Sequence, residues 1–364
     1  CFFHCEPYRK GVAMSNSALP GTLHEVKPEK PWVNRGQSLQ EVARPVAIAT
    51  AIAAVIVLIT GLAGPLGFYV AFVLSFIVVS FVDGMRHDKV KAIDKVMTTL
   101  VTAGFASAFI PWVSILFTVF KRGASAIYFG FFTNDMSITA ADDELGMGGL
   151  SHALVGSLLI LLMASLVAIP FGIITAVYIT EIKGRFSGLV RVVVQSMSGV
   201  PSVVAGLFIY AIVVSRYSFS GLAGALALAI LMLPTVARTS EEVLKLVPED
   251  LRSSAYALGA SQTATTFRIV LPTARSGLIT ASMLGLARVA GETAPLILTA
   301  YYSAVYSLKV TGQPLASLPM YIYQNFTNGT DLALSRAWGG AAVLLSMIFI
   351  IFTIARLASG RAKR

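Results

Sequence analysis

The composition of this chain is typical of a membrane protein. Of its 364 residues, 56% are hydrophobic and 13% are charged, whereas soluble domains average about 25% charged residues. The formal net charge of +10 would also suit a nucleic-acid-binding protein, but the basic residues lie in the connections between long apolar segments, as they do in membrane proteins. The distribution of charge therefore argues against nucleic acid as a partner and for the lipid bilayer.

A polar tail, residues 1–45, precedes the first apolar segment. Cys1, Cys5 and His4 lie in this tail. Two thiols and one imidazole are better explained there as free side chains in a reducing compartment than as a metal site. No cleavable signal peptide is expected, because the first apolar run begins only near Val46. We expect neither a bound metal nor a cofactor.

Eight apolar segments are long enough to cross a bilayer as helices. They are residues 46–64, 66–82, 97–120, 152–179, 190–214, 219–237, 276–302 and 337–357. Gly64 and Pro65 join the first two segments and predict a tight hairpin. The sequence therefore predicts an all-α, polytopic membrane protein with about eight transmembrane helices. We divide it into the tail, a hairpin with its basic connection (46–96) and a main domain (97–360).

The distribution of lysine and arginine predicts the orientation in the membrane. Basic residues are concentrated in the tail, in the connections 83–96, 181–191 and 238–275, and at the C-terminus. The alternate connections hold few of them: Lys121, Arg122, Arg216, Lys309 and Arg336. By the positive-inside rule, both termini should be cytoplasmic. The long connection 121–151 would then lie outside, with its acidic group Asp142, Asp143 and Glu144 in solvent.

The loop at 239–275 is the most informative polar segment, and its first half predicts a short helix. Pro248 suits the first helical position, and Glu249 and Asp250 suit the positive end of the helix dipole. Apolar residues then follow at helical spacing on one face: Leu251, Ala255 and Leu258. The pattern indicates an amphipathic helix that projects into the cytoplasm.

The second half of the loop predicts a glycine turn and another helix. Gly259 suits a left-handed C-terminal cap, Ser261 suits an N-cap, and Pro272 is expected to end the second helix. A membrane protein has little structural need for such an appendage unless another protein docks on it.

The segment SSAYALGASQTATTFRIVLP, which starts at Ser253, resembles the coupling loop of ABC importer permeases. The family pattern is EAA, three residues, glycine, nine residues and I-x-L-P. The positions in register are Ala255, Gly259, Ile269, Leu271 and Pro272. Ser253 and Ser254 replace the family's Glu and Ala, so that any salt bridge from that glutamate to an ATPase would have to come from Glu249 or Asp250. The resemblance implies an ATPase-coupling set: Glu249, Asp250, Ser253, Ala255, Gly259 and Ala260.

Three other segments make the resemblance more specific. RTSEEVLKLVP (238–248), ARVAGETAPLILTA (287–300) and GVPSVVAGLF (199–208) are similar to phosphate ABC importer permeases of the PstA type, over about residues 95–360. The resemblance implies a type I permease core of six spans in the inner membrane of a prokaryote, with the hairpin as an addition. It also implies as partners a second homologous permease, two copies of an ATP-binding subunit and an external phosphate-binding protein.

ATP hydrolysis is not expected from this chain. It contains no G-x-x-x-x-G-K-[ST] segment, which many ATPases use to hold the phosphates of ATP. It also contains no H-E-x-x-H, and its histidines are scattered. We therefore expect a non-catalytic subunit whose energy comes from a partner.

Two opposite charges stand out in the apolar segment LGLARVAGETAPLILTA. On a continuous helix, Arg288 and Glu292 would share a face, with Pro295 kinking the helix nearby. An arginine at membrane depth costs about 2.5–3.5 kcal/mol on insertion scales and usually faces a water-filled path or a partner. The planar guanidinium of Arg288 could hold phosphate through paired hydrogen bonds. Glu292 could accept a hydrogen bond from the P–OH group, which sulfate lacks, and Thr293 could add a hydroxyl. The alternative is an internal ion pair that only permits insertion.

Polar residues in the span at 190–214 extend this candidate path. Gln195 and Ser198 lie just before Gly199 and Pro201 and could line the same route, although small polar residues also tighten helix packing. Glu181 and Arg185, at a helix end, are interpreted as a solvated pair.

Two other functions fit part of the pattern. An ABC importer permease for molybdate or sulfate would share the whole architecture. A secondary transporter would need no docking loop and would be expected to show inverted repeats, and no convincing repeat is visible in the sequence.

Overall fold

The computed structural model describes residues 39–61, 64–86 and 88–360. All regular secondary structure within these residues is helical, and the described part of the chain contains no strand. The polar tail, including Cys1, Cys5 and His4, lies outside the described residues up to residue 38. The chain divides into two compact units, with the boundary between Phe109 and Ile110.

The first unit contains a helical hairpin and the start of a long third helix. These helices are α1 (Leu39–Thr60), α2 (Pro65–Met85) and α3 (Lys89–Gly123), the last of which crosses the unit boundary. Pro65 occupies the first turn of α2, and Gly64 before it has φ of 116°, which only glycine adopts readily. The described residues thus place the end of α1, at Thr60, and the start of α2, at Pro65, next to the junction predicted at Gly64 and Pro65.

Polar contacts join α2 to the part of α3 in the same unit. Lys95 and Asp83 form an ion pair of 2.5 Å, and the hydroxyl of Thr99 donates to Ser80 Oγ at 2.9 Å. Near the other end, the hydroxyl of Tyr69 donates to the Ala103 carbonyl at 3.1 Å. These contacts hold α2 against α3, and the bonds of Thr99 and Tyr69, on apolar segments where lipid offers no hydrogen-bonding partner, contribute most.

The second unit contains all the remaining helices. They are α4 (Phe129–Thr133), α5 (Ser151–Val177), α6 (Ser187–Ser198), α7 (Ser202–Ile209), α8 (Ser215–Tyr217), α9 (Gly221–Lys245), α10 (Glu249–Ala257), α11 (Gln262–Thr265), α12 (Leu271–Ala290), α13 (Ala294–Thr299), α14 (Leu318–Asn328) and α15 (Asp331–Gly360). Three π-helical turns, at Tyr178–Ile182, Tyr210–Val214 and Thr266–Val270, extend or join these helices.

The centre of the second unit is α9, the most buried of the candidate membrane spans. Small residues let its neighbours approach closely, as is common in membranes. A Cβ added to Gly172 of α5 would lie 2.8 Å from Val236 of α9, and one added to Gly285 of α12 would lie 2.6 Å from the same side chain. The helices α5, α9 and α12 therefore form one tightly packed group.

The described residues contain seven helices long and apolar enough to cross a membrane, or eight spans if the bent helix pair is counted as one more. This agrees with the eight predicted segments. The predicted continuous span at 190–214 is wrong in detail, because the chain bends by 102° between Ser187–Ser198 and Ser202–Tyr217. Pro201 has extended backbone with ψ of 138° and caps α7. It disfavours helical geometry at the residue before it, which explains the break.

Candidate functional site

The predicted helix, glycine turn and second helix are all present at 248–271. The first helix, α10, begins at Glu249, and Pro248 is its N-cap rather than its first helical residue. Gly259 has φ of 81°, as predicted for a left-handed cap. Beside it, the Ala260 amide donates to the Ala255 carbonyl at 3.0 Å. The predicted N-cap is also confirmed, because the Ser261 hydroxyl accepts from the Ala264 amide at 3.3 Å.

The expectation that Pro272 ends the second helix is wrong. The chain runs from α11 through the π turn Thr266–Val270 directly into α12, where Pro272 lies in the first turn. A π turn rearranges the hydrogen bonding that a proline would otherwise break, and such turns often occur at functional sites. As a result, residues 262–290 form one long helical span that is continuous with the loop.

Most of the predicted coupling set is exposed. Among its six members, Ala255 is buried, Ala260 is half-buried, and Glu249, Asp250, Ser253 and Gly259 are exposed. The predicted apolar stripe does not pack as a whole, since Ala255 is 4% exposed but Leu251 is 40% and Leu258 is 88% exposed. Apolar residues left uncovered beside acidic ones suit a docking surface for another protein.

The interpretation of Glu181 and Arg185 as a solvated pair is wrong. Glu181 is buried and pairs with Arg252 of α10, whose Nη2 lies 2.8 Å from Glu181 Oε1 and whose Nε lies 3.1 Å from Oε2. These hydrogen bonds to Glu181 raise the pKa of the Arg252 guanidinium above its usual value. The paired residues are far apart in sequence, and Arg252 lies on the polar side of an amphipathic helix, so no local pattern indicates the pair.

A second charged group lies beside this pair. Glu241 near the end of α9 is bonded to Arg191 of α6 at 2.9 Å and to Lys245 one turn later at 2.6 Å. The pair Glu181 and Arg252, together with Arg191 and Lys245 of the second group, lines an open cleft of about 450 Å³. We call this end of the second unit, around residues 179–191 and 241–271, the basic end.

The helix that carries Arg288 ends before Glu292. α12 stops at Ala290 with Gly291 as its C-cap, and the Glu292 amide donates to the Val289 carbonyl at 3.1 Å. The predicted shared face of Arg288 and Glu292 is therefore wrong. No ion pair joins the two within the described residues; instead, Arg288 Nη1 donates to the Thr235 hydroxyl of α9 at 2.9 Å.

Pro295 starts a new helix instead of kinking an existing one. It lies in the first turn of α13, which Thr293 caps, and residues 291–293 form an irregular break. A second break, at 199–201, lies between α6 and α7. The helices that follow the two breaks contact each other, because a Cβ added to Gly206 of α7 would lie 2.7 Å from Pro295 Cα.

Gln195 and Ser198 lie in the last turn of α6, just before the first break. Gln195 is exposed and Ser198 is half-buried, with its hydroxyl donating to the Val194 carbonyl at 3.1 Å. Among the described side chains, no hydrogen bond joins either residue to Arg288, Glu292 or Thr293. The described structure thus places both residues beside a helix break without a hydrogen bond to Arg288, Glu292 or Thr293.

At the opposite end of the second unit, the connection 121–151 is folded around Arg336. Arg336 was predicted as a charge of an exposed connection, but it is 1% exposed. Its guanidinium donates to five backbone carbonyls, of Ala140, Ala141, Asp143, Glu144 and Met147, at 2.7–3.4 Å. The acidic side chains of Asp142 and Glu144 remain exposed, as predicted, and that of Asp143 is half-buried.

Comparisons with known proteins identify the family. The family model described as "Binding-protein-dependent transport system inner membrane component" matches residues 168–364. The chain is 40% identical over 265 residues to "Phosphate transport system permease protein PstA 1" of Mycobacterium tuberculosis, covering 72% of this chain and 86% of that protein. It is 38% identical over 250 residues to "Phosphate transport system permease protein PstA" of Haemophilus influenzae, covering 67% and 85%.

More distant proteins also match. A "Probable phosphate transport system permease protein PstA" of Methanocaldococcus jannaschii is 31% identical over 279 residues, covering 75% of this chain and 96% of that protein. A chain of an inward-facing methionine ABC transporter, 18% identical, superposes with a TM-score of 0.49 over 59% of this chain and 95% of that chain. The family model covers more than half of the sequence. The chain therefore belongs to the family of binding-protein-dependent transport system inner membrane components.

Proposed function

We propose that this chain is a transmembrane permease subunit of an ATP-driven inorganic phosphate importer. Arg288 carries the proposal, because it lies at a helix break in a membrane-spanning segment and has no acidic partner among the described residues. The printed names of the relatives, which are phosphate transport system permeases, support phosphate as the substrate.

The two helix breaks support a translocation path. Irregular backbone at membrane depth is tolerated only where protein buries it or where it lines a water-filled cavity. In this chain, the breaks at 199–201 and 291–293 flank α7 and α13, which contact through Gly206 and Pro295. We infer that Gln195 and Ser198 before the first break, and Arg288, Glu292 and Thr293 at the second, line one route.

Arg288 is suited to hold an oxyanion in transit. One N–H of its guanidinium donates to the Thr235 hydroxyl, and a guanidinium has five N–H donors in all. The remaining donors can bind phosphate in the paired geometry that a planar fork allows. Because Glu292 does not neutralise Arg288, the Glu292 carboxylate is free to accept a hydrogen bond from a P–OH group, which would favour phosphate over sulfate. A permease for molybdate or sulfate is the second candidate, since the same fork would bind those anions.

The exposed loop at 248–262 supports coupling to a separate ATPase. It presents Glu249, Asp250 and Ser253 beside the exposed apolar side chains of Leu251 and Leu258. We infer that the basic end faces the cytoplasm, that a dimer of ATP-binding subunits docks there, and that a second homologous permease completes the path. An external phosphate-binding protein would dock at the opposite end, where Asp142 and Glu144 are exposed.

Reconstitution tests this function directly. The chain is purified with its co-assembled subunits and reconstituted in proteoliposomes. ATP is supplied on the side of the membrane where the ATPase subunits lie, and phosphate-loaded binding protein is supplied on the opposite side. Uptake of radiolabelled phosphate that requires ATP, and that excess sulfate and molybdate do not compete away, is the expected result. Stronger competition by molybdate or sulfate would favour the second candidate. Uptake that persists without the ATPase would support a secondary transporter instead.

A further inference from the structure

Arg252 uses all its hydrogen-bonding capacity within this chain. Its Nε and Nη2 donate to the two carboxylate oxygens of Glu181. Nη2 also donates to the Leu244 carbonyl at 3.0 Å, and Nη1 donates to the Val247 carbonyl at 2.7 Å and to Glu249 at 3.2 Å. These contacts account for the five N–H donors of a guanidinium. Arg252 is therefore committed to intramolecular contacts, unlike its exposed neighbours on α10.

The pair between Arg252 and Glu181 is buried and rigid. Their side chains are 11% and 5% exposed, and the paired geometry of two parallel bonds fixes the orientation of both groups. Removing one partner of such a pair leaves an uncompensated buried charge, which is strongly unfavourable. The nearby pair of Arg238 and Glu242 differs in each respect, since its atoms lie 3.6 Å apart and its side chains are 65% and 66% exposed.

The contacts of Arg252 join two helical segments to α10, and Glu181 links them to a third. Glu181 lies in the π turn that ends the α5 span, and Leu244 lies in the last turn of α9. The carbonyl of Glu181 also accepts a hydrogen bond of 2.7 Å from Gln262, the first residue of α11. By contrast, the apolar residues of α10 other than Ala255 contribute little packing. The position of α10 relative to the spans therefore depends largely on Arg252.

We propose that Arg252 is the positioning residue that fastens the docking helix α10 to the ends of α5 and α9, so that a displacement of α10 moves these spans. This inference deepens the proposed function and rests on α10 being the ATPase docking element. The helix α9 continues the link. Thr235 also lies on α9, about 14 Å along the helix axis from Leu244 at a rise of 1.5 Å per residue. The hydroxyl of Thr235 accepts a hydrogen bond from Arg288. Movement of α9 would therefore change the surroundings of Arg288.

The test compares transport with ATP hydrolysis in the whole reconstituted complex. The variants are Arg252→Gln, Glu181→Gln and the double change, with Arg238→Gln as the matched control in an exposed ion pair. The measurements are the amount of ATPase subunit that copurifies, the ATPase rate and the phosphate taken up per ATP hydrolysed. We expect normal copurification and uptake per ATP reduced about tenfold in each single variant, within the range of coupling energies between sites. Arg238→Gln should match the unmodified protein.

The double variant shows whether the two residues act as a unit. If they do, the double change should reduce uptake per ATP no further than either single change. Single effects that multiply in the double variant, or an unchanged ratio in Arg252→Gln, would overturn the proposal. If the Arg252→Gln complex does not assemble, Arg252→Lys is the second variant, because lysine keeps the charge and loses the paired hydrogen bonds. An assembled Arg252→Lys complex with full uptake per ATP would also overturn the proposal.

The outcome is distinguishable from failure of the proposed function itself. If the unmodified complex carries molybdate or sulfate instead of phosphate, the same ratio is measured with that anion and the role of Arg252 is still decided. If the ATPase does not bind the unmodified chain through α10, the proposed role of Arg252 fails while transport by the complex persists, and normal copurification of the ATPase subunit with a Gly259→Asp variant is the observation that identifies this case.

Discussion

Gly206 of α7 lies so close to Pro295 of α13 that a Cβ on the glycine would be 2.7 Å from the proline Cα. This contact joins the helices that follow the two breaks in the chain, at 199–201 and at 291–293. Because backbone atoms lie on one side of the contact, a larger side chain cannot be accommodated by rotating a flexible neighbour. The close approach of α7 and α13 therefore requires glycine at position 206.

Substitution of Gly206 should therefore impair transport. Gly206→Val would force α7 and α13 apart, and overpacking of this kind typically costs about 1–3 kcal/mol. We expect assembly to persist and uptake to fall, because the distance between the breaks changes. Gly188, where an added Cβ meets no atom within 4 Å, provides the control Gly188→Ala, and similar losses in both variants would show that the contact has no special role.

Replacement of Arg288 tests the proposed transit site. Loss of a charged hydrogen-bond partner costs about 2–5 kcal/mol in a buried site. Because Arg288 is exposed in the isolated chain, we take the lower end, about 2 kcal/mol or roughly 30-fold in rate. Arg288→Ala should nearly abolish uptake of radiolabelled phosphate, normalised to assembled complex, and Arg288→Lys should retain part of it. The double change Arg288→Ala with Glu292→Ala should assemble and still fail to transport. Rescue by the double change would show that the two charges only neutralise each other.

Gly259 tests the coupling loop. With φ of 81°, it occupies a region that side chains with a Cβ disfavour by about 1–2 kcal/mol, and an added Cβ meets no other atom within 4 Å. Gly259→Asp would combine strain with a new charge on the docking surface, so we expect uptake to collapse while the spans still insert. Gly259→Asn, which tolerates left-handed backbone better, should be milder. Normal uptake in Gly259→Asp with normal ATPase binding would remove the loop from the mechanism.

Arg336 should determine the order of the connection 121–151. Removal of its guanidinium would leave the carbonyls of residues 140–147 without their donors, at a cost of about 1–3 kcal/mol for each group that stays buried. Arg336→Leu is therefore expected to increase proteolysis within 140–147 in the assembled complex and to weaken docking of the binding protein. Arg216→Leu, at an exposed position, is the control. Unchanged proteolysis in Arg336→Leu would contradict the role.

Labelling of single cysteines tests the orientation. Ser137, Thr327 and Ser253 are all exposed, so the reactivity of cysteines placed there reports the side of the membrane rather than burial. Cysteines at the first two positions should react with an impermeant thiol reagent added to intact cells, and one at Ser253 should react only after permeabilisation. Labelling at Ser253 in intact cells would reverse the predicted topology.

The local sequence determines which segments of this protein are helical and which cross the membrane. Hydropathy and length depend on neighbouring residues alone, and they predict the apolar segments that the structure contains as helices. Turn chemistry is equally local, as at Gly64 and Pro65, at Gly259 with its positive φ and at the N-cap Ser261. The motif around Gly259 also carries enough information to indicate the family.

Only the tertiary structure decides where a span breaks and which charges meet. Pro234 lies inside a continuous helix, Pro272 follows a π turn, and Pro201 and Pro295 start new helices. A proline removes one backbone donor in every case, but the outcome depends on which neighbouring groups satisfy the carbonyls that are freed. The partners of the charged residues are likewise distant in sequence: Glu181 for Arg252, and Thr235 for Arg288. A buried charge is stabilised by whichever group the fold brings within hydrogen-bond reach, and helix packing determines that proximity, not sequence spacing.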